Sequence, residues 1–114
     1  MKQVQAIVRP EKLEAVKSAL VAIGINGMTV QQVRGFGQQL GHLEVYRGVK
    51  LEAKLLSKIM ITTVVNPEQL DAVIDAIQKA ACTGEIGDGK IIVSAVLEAI
   101  RIRTGETGAA TLMG

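Results

Sequence analysis

The sequence predicts an α+β sandwich of two tandem βαβ units, because it carries an internal repeat and because the apolar period changes inside each copy. Ala6–Leu20 and Thr63–Ile77 align at a constant offset of 57, with seven of the fifteen pairs identical and most others conservative. A duplicated supersecondary unit explains this better than chance. In each copy apolar residues first alternate, as on a strand, and then recur at helical spacing. At 114 residues, 48% hydrophobic and 21% charged, the chain suits one domain spanning 1–114.

The first strand is read from Val4, Ala6 and Val8 alternating with Gln3, Gln5 and Ile7. Pro10 ends it and opens a helix at its favoured first turn. Leu13, Val16, Ala19, Leu20 and Ile23 form the inward stripe of that helix, and Gly24 closes it. Met28–Val33 is the second strand. The second unit repeats the plan: a strand over Lys58–Val65, a helix from Pro67 to about Ala81 with Leu70, Val73, Ile74 and Ile77 inward, and a strand over Ile91–Val96. Two such units make the ferredoxin-like βαββαβ arrangement. Helices cover one sheet face, and the apolar residues of the other favour an oligomer that packs sheets together.

Two segments exceed this plan. Residues 37–57 lie where a hairpin turn would suffice, and loops of that length are usually functional or mobile. They are also rich in apolar side chains, from Leu40 to Leu56, which either pack on the body or await a partner. The other segment is the tail, 97–114, which carries Arg101-Ile-Arg103-Thr-Gly-Glu.

Composition excludes several classes. A net charge of +2 with 2% aromatic residues and no Trp offers neither a strong phosphate-neutralising excess nor base-stacking platforms, which argues against nucleic acid. Apolar runs are broken well before about 18 residues, so no membrane insertion is expected. With no leader at Met1–Val4 and Cys82 as the lone cysteine, a reducing cytoplasmic setting is the natural reading. The single His42 has no Cys or carboxylate partners at metal-ligand spacing, and no nucleophile–base pair stands out, so catalysis is not expected.

The strongest local signal is Thr83-Gly-Glu-Ile-Gly-Asp-Gly-Lys90, between the second helix and the last strand. Its glycines permit positive φ and bring backbone N–H groups close to an anion, and Lys90 adds a cation. The spacing is not that of a P-loop, and alone such a connection is more often a plain turn. Arg101 and Arg103 alternate, so on an extended chain both point to one side, where two guanidinium forks suit phosphate oxygens. Alone, that pair is more simply a solvated surface feature. Loop and pair together favour a phosphate site.

Along its whole length the chain resembles the PII signal-transduction family. The resemblance rests on Gly27-Met-Thr-Val30, Gly35-Phe-Gly37, Gln39, Gly41-His42, Glu44, Tyr46-Arg-Gly48, Lys58, Thr83-Gly84, Ile86-Gly-Asp-Gly-Lys-Ile91 and Ile100-Arg-Ile-Arg-Thr-Gly-Glu106. It implies a homotrimer with ATP or ADP held in clefts between subunits. Gly87, Asp88, Gly89, Lys90, Arg101 and Arg103 would hold the phosphates. Ile7, Thr29, Gly35 and Val64 would surround adenine and ribose, and Gly37 and Gln38 would close the site. It further implies 2-oxoglutarate bound together with magnesium-ATP, through Gln39 as the metal ligand and through Lys58 and Gly87. Arg47, with Glu44 and Tyr46, would form the partner-binding loop directed at an ammonium transporter or another membrane transporter.

Some positions depart from the family pattern. Leu51 replaces the uridylylated tyrosine, so that modification is not expected there, and Val49 replaces a serine that some members phosphorylate. Gln38, Leu40 and Lys50 stand where arginine, lysine and an acidic residue are usual. The expected function is therefore regulation of nitrogen metabolism by ligand-dependent loop conformation. The alternative is an adenylate-only energy sensor that ignores 2-oxoglutarate and controls a different transporter.

Overall fold

A computed structural model describes residues 1–35 and 55–112 of the chain. Strand β1 (Lys2–Val8) leads through a 3-10 turn at Pro10–Lys12 into helix α1 (Leu13–Ala22) and strand β2 (Thr29–Gly35). Strand β3 (Leu56–Val65), a 3-10 turn at Pro67–Gln69, helix α2 (Leu70–Ala81) and strand β4 (Lys90–Ala95) repeat the plan. A further 3-10 turn spans Gly108–Leu112. The duplication is local as well as topological, since proline opens both turns and Leu13 and Leu70 begin both helices.

The strands form one antiparallel sheet in the order β2-β3-β1-β4. Strand β3 fills the gap between β1 and β2, which is the split βαβ arrangement of the ferredoxin-like fold. Period-two alternation sends Val4, Ala6 and Val8 of β1, and Ile59, Ile61, Thr63 and Val65 of β3, to the helix side. There they meet Val16 and Leu20 of α1 and Val73, Ile77 and Ala81 of α2 in one core cluster. Each large side chain fully buried in this layer contributes about 1.5–3 kcal/mol relative to exposure. The one buried polar side chain among the described residues is Thr63, whose hydroxyl donates to the Gly27 carbonyl at 2.7 Å.

The inward stripe of α1 ends earlier than its spacing predicts. Ile23 is 42% exposed, and Ile25 takes the core position instead. Gly24, at φ +88°, reverses the chain, so its N–H donates to Val21 O at 3.0 Å and that of Ile25 to Leu20 O at 3.0 Å. This Schellman closure turns the residue after the glycine back onto the last helical turn. In the helix of the second unit Val73 and Ile77 are buried and Leu70 packs against the core as predicted, whereas Ile74 is half-buried and lies outside the core cluster.

The predicted 37–57 connection overlaps the sheet at its end. Strand β3 begins at Leu56, two residues before the predicted Lys58, and Leu56 and Ser57 pair with Gly35 and Arg34 of β2. Residues 36–54, and with them Gly37, Gln38, Gln39, Glu44, Tyr46, Arg47 and Leu51, lie outside the described residues.

On the open sheet face the register sets out three rows: Lys90-Ile7-Met60-Gln31, Ile92-Gln5-Thr62-Thr29 and Ser94-Gln3-Val64. Apolar and neutral polar side chains alternate there, and Lys58 joins Lys90 towards one end. No helix among the described residues is long and apolar enough to cross a membrane.

Candidate functional site

The loop from Thr83 to Gly89 has its polar groups sorted. Asp88 turns inward: its carboxylate accepts from Thr83 N at 2.8 Å, Gly84 N at 2.9 Å, the Thr83 hydroxyl and Arg9 Nε at 3.0 Å. Arg9 Nη2 also donates to the Ile86 carbonyl at 2.9 Å, and Lys58 Nζ donates to that of Gly87 at 2.6 Å. The N–H groups of Gly87 and Gly89 have no acceptor in good geometry among the described residues, while Asp88 N closes the turn at Ile86–Gly87 towards Glu85 O. Cations thus cover two loop carbonyls, while the two glycine amides stay open. Such a concavity favours an anion.

Thr83's hydroxyl and then its amide, followed by Arg9 and the Gly84 amide, hold the Asp88 carboxyl well below its ordinary value of 3.8. The charge is fixed by hydrogen bonds to the ionised form. Sequence reasoning grouped Asp88 with the phosphate-holding residues, but its side chain faces the loop's own backbone. Gly89 explains why the loop lies so close to the sheet. It sits at φ +97°, and a Cβ there would meet the Ile7 carbonyl oxygen at 1.7 Å. Only glycine fits both the φ and the space. Lys90 then opens β4 opposite Ile7 on the open face.

The predicted residues are spread along the sheet in successive rows. Gly87–Lys90, Ile7 and Lys58 lie at one end, with Gly35 beyond them opposite Leu56. Thr29 pairs with Thr62, and Val64 lies further along β3 at the other end. At the strand rise, the four steps from Met60, opposite Ile7, to Val64 span about 13 Å, and the two steps to Thr62, opposite Thr29, about 7 Å. The tail belongs to the Val64 end. Val96 N donates to Met1 O at 3.2 Å, and a cavity of about 240 Å³ there is lined by Gly27, Val64, Gln69, Thr111 and Leu112, among others.

The extended reading of Arg101 and Arg103 is corrected by the structure. The segment turns: Gly105 N donates to Arg101 O at 2.7 Å, Arg101 N to Glu106 O at 2.8 Å, and Ile100 bridges Thr107. Gly105, at φ +74°, permits the reversal. Arg101 is drawn back, with Nη1 3.3 Å from Glu106 Oε1 and Nη2 donating to Ala110 O at 2.7 Å, while Arg103 is exposed. Within one chain the glycine loop and the two arginines therefore do not converge.

Sequence reasoning missed Arg9, Thr83's hydroxyl and Arg34, which lines a cavity of about 310 Å³ with Lys58, Gln32 and Ser57. One signal for Arg9 was available. At the repeat offset it faces Asn66, which with Gln69 caps the second helical turn by a reciprocal pair of hydrogen bonds. Arg9 makes no such cap and reaches the glycine loop instead.

Among the described residues no group of three or more His, Cys, Asp or Glu side chains could hold a metal ion. A hard cation here would need oxygens from a ligand, as magnesium commonly takes from phosphates.

Comparison with known proteins agrees with this anatomy. The family model for nitrogen regulatory protein P-II matches residues 1–106. The nitrogen regulatory protein P-II 2 of Methanothermobacter thermautotrophicus is 57% identical over 108 residues, covering 95% of this chain and 94% of that protein. The nitrogen regulatory protein GlnK of Escherichia coli is 52% identical over 112 residues, covering 98% and 100%. A crystal structure of Arabidopsis thaliana PII bound to citrate superposes with a TM-score of 0.79 at 44% identity, covering 96% of this chain and 89% of that one.

Proposed function

Because the chain belongs to the nitrogen regulatory protein P-II family, whose members are signalling regulators and not enzymes, we propose that it senses ATP and ADP at sites shared between the subunits of a homotrimer. The observation that carries this reading is the separation of the phosphate donors Gly87–Lys90, at the start of β4, from Arg101 and Arg103, in the tail beyond its far end. A single chain offers two halves, and a closed ring of copies apposes one half of each to the other half of its neighbour.

In this reading the open amides of Gly87 and Gly89, with Asp88 between them, and the Lys90 ammonium hold phosphates from one subunit, and the arginines reach them from the next. Ile7, Gly35, Thr29 and Val64 frame adenine and ribose, with Gly37 and Gln38 closing the cleft. Magnesium would be held by phosphate oxygens together with Gln39. 2-Oxoglutarate would join it through Lys58 and Gly87, and the citrate bound by the Arabidopsis relative supports a place for a small polycarboxylate. The loop bearing Glu44, Tyr46 and Arg47 would carry the signal to a membrane transporter from the cytoplasm, without uridylylation at Leu51.

Subunit complementation tests the shared site. Chains carrying Lys90→Ala are mixed with chains carrying Arg103→Ala after dissociation and reassembly. Each variant alone loses tight ADP binding, and an equimolar mixture regains about one quarter of the sites by calorimetry. A mixture that regains none places the whole site within one chain.

A further inference from the structure

We infer that Arg9, Thr83 and Asp88 form a clasp that positions the phosphate-binding loop; the inference rests on the nucleotide reading above. Three elements meet in it: Arg9 follows β1, Thr83 follows α2, and Asp88 sits in the loop between α2 and β4. Asp88 accepts four hydrogen bonds, about the full capacity of two carboxylate oxygens, so it has nothing left for a ligand or a metal. The Arg9 guanidinium beside it compensates its charge, and the two side chains are only 19% and 23% exposed. An uncompensated carboxylate in that place would repel the phosphates that the neighbouring amides attract.

The clasp also decides which groups of the loop face outward. Thr83 both donates its hydroxyl proton to Asp88 and accepts from Glu85 N at 3.1 Å, which fixes the first half of the turn. Arg9 holds Asp88 and the Ile86 carbonyl with one fork, which fixes the second half. With Ile86 O held in this way, and Gly87 O held by Lys58, the amides of Gly87 and Gly89 are left open. Donors preorganised in this way cost little reorganisation when an anion arrives. The repeat supports a specialised role, since the second unit uses the position matching Arg9 for the helix-capping Asn66. Arg9, Thr83 and Asp88 are positioning residues: each acts on the ligand through the backbone it holds.

The test compares Thr83→Val, Thr83→Ser and Asp88→Asn with the wild-type full-length protein. ADP titration calorimetry is paired with amide hydrogen exchange of the unliganded loop. Thr83→Val and Asp88→Asn are expected to weaken ADP by about tenfold or more and to speed exchange across 84–89, with subunit assembly unchanged. Thr83→Ser, which keeps a hydroxyl that both donates and accepts, should stay within about threefold of wild type. Unchanged ADP affinity in Thr83→Val and Asp88→Asn, or a loss in Thr83→Ser equal to that in Thr83→Val, overturns the clasp. If the wild type binds no ADP, the nucleotide reading fails on its own. The exchange data then decide the clasp, because unaltered exchange in Thr83→Val overturns it without reference to any ligand.

Discussion

Replacing Gly89 by alanine should destabilise the protein far more than the same change at Gly84, although both glycines have positive φ. Gly84 sits at φ +86° with nothing within 4 Å of an added Cβ, so its variant incurs only the backbone penalty, about 1–2 kcal/mol. Gly89 incurs a similar penalty at φ +97°, and its Cβ would also lie 1.7 Å from Ile7 O and 2.8 Å from Ile7 C. A carbon and an oxygen that are not bonded rest at about 3.3 Å, so the loop and β1 must separate by roughly 1.6 Å. That separation weakens the pairing of Ile7 with Lys90, where two backbone hydrogen bonds at about 1 kcal/mol each are at stake. The expected loss is about 3–4 kcal/mol for Gly89→Ala against about 1–2 for Gly84→Ala. Thermal unfolding followed by circular dichroism at one fixed protein concentration should then separate the two variants by about 8 °C. Equal midpoints would refute the close approach of loop and strand.

Four further outcomes are expected. Arg103→Ala should weaken ATP and ADP alike, by about tenfold, because both present phosphates to the same guanidinium; calorimetry showing both affinities unchanged would place the phosphates elsewhere. Ile77→Ala, which empties a position only 1% exposed, should cost about 2–5 kcal/mol in urea unfolding, whereas Ile23→Ala at 42% exposure should cost under about 1. Asp88, with its folded pKa lowered, contributes stability that is fully present above the ordinary carboxylate value of 3.8 and is lost as pH falls below it. The gap in urea midpoint between wild type and Asp88→Asn should therefore be flat from pH 7 to about 5 and narrow towards acid; a gap that does not change with pH would count against the ionised cap. Heat on adding 2-oxoglutarate is expected only with magnesium-ATP present and should vanish in Lys58→Met; no heat at any ATP level would leave an adenylate-only sensor.

The fold was legible because its two halves spell the same pattern. Val4, Ala6 and Val8 alternate, Val73 and Ile77 keep helical spacing, and Pro10 and Pro67 mark both strand-to-helix turns. Periodicity is a property of neighbours along the chain, and it survives into the structure wherever the helix or strand is regular. It failed where one residue left regular geometry. Gly24's positive φ moved the core position from Ile23 to Ile25, and Gly105's turned an extended pair of arginines into a reversal. The loop's candidacy for an anion site was visible in its glycines and lysine. The inward role of Asp88 was not, because it depends on how the loop folds back onto Thr83 and Gly84 and on Arg9, 79 positions away in sequence. Side-chain partners that distant leave no local period. Only the mismatch of Arg9 with Asn66 inside the repeat marked the place.

The span of β4 between the glycine loop and the tail arginines has a thermodynamic consequence for the proposed site. With the loop before the first residue of β4 and the arginines beyond its last, a site that needs both makes affinity a property of the assembly and not of the subunit. Ligand and neighbouring subunit are then linked variables. At a free nucleotide concentration one hundred times its dissociation constant, each shared site adds about 2.7 kcal/mol to the cohesion of the ring. Dilution that dissociates the ring must also release nucleotide, and a rise in nucleotide must lower the protein concentration at which the ring forms. A cell charged with adenylates would therefore hold this regulator together at expression levels where a starved one would let it fall apart.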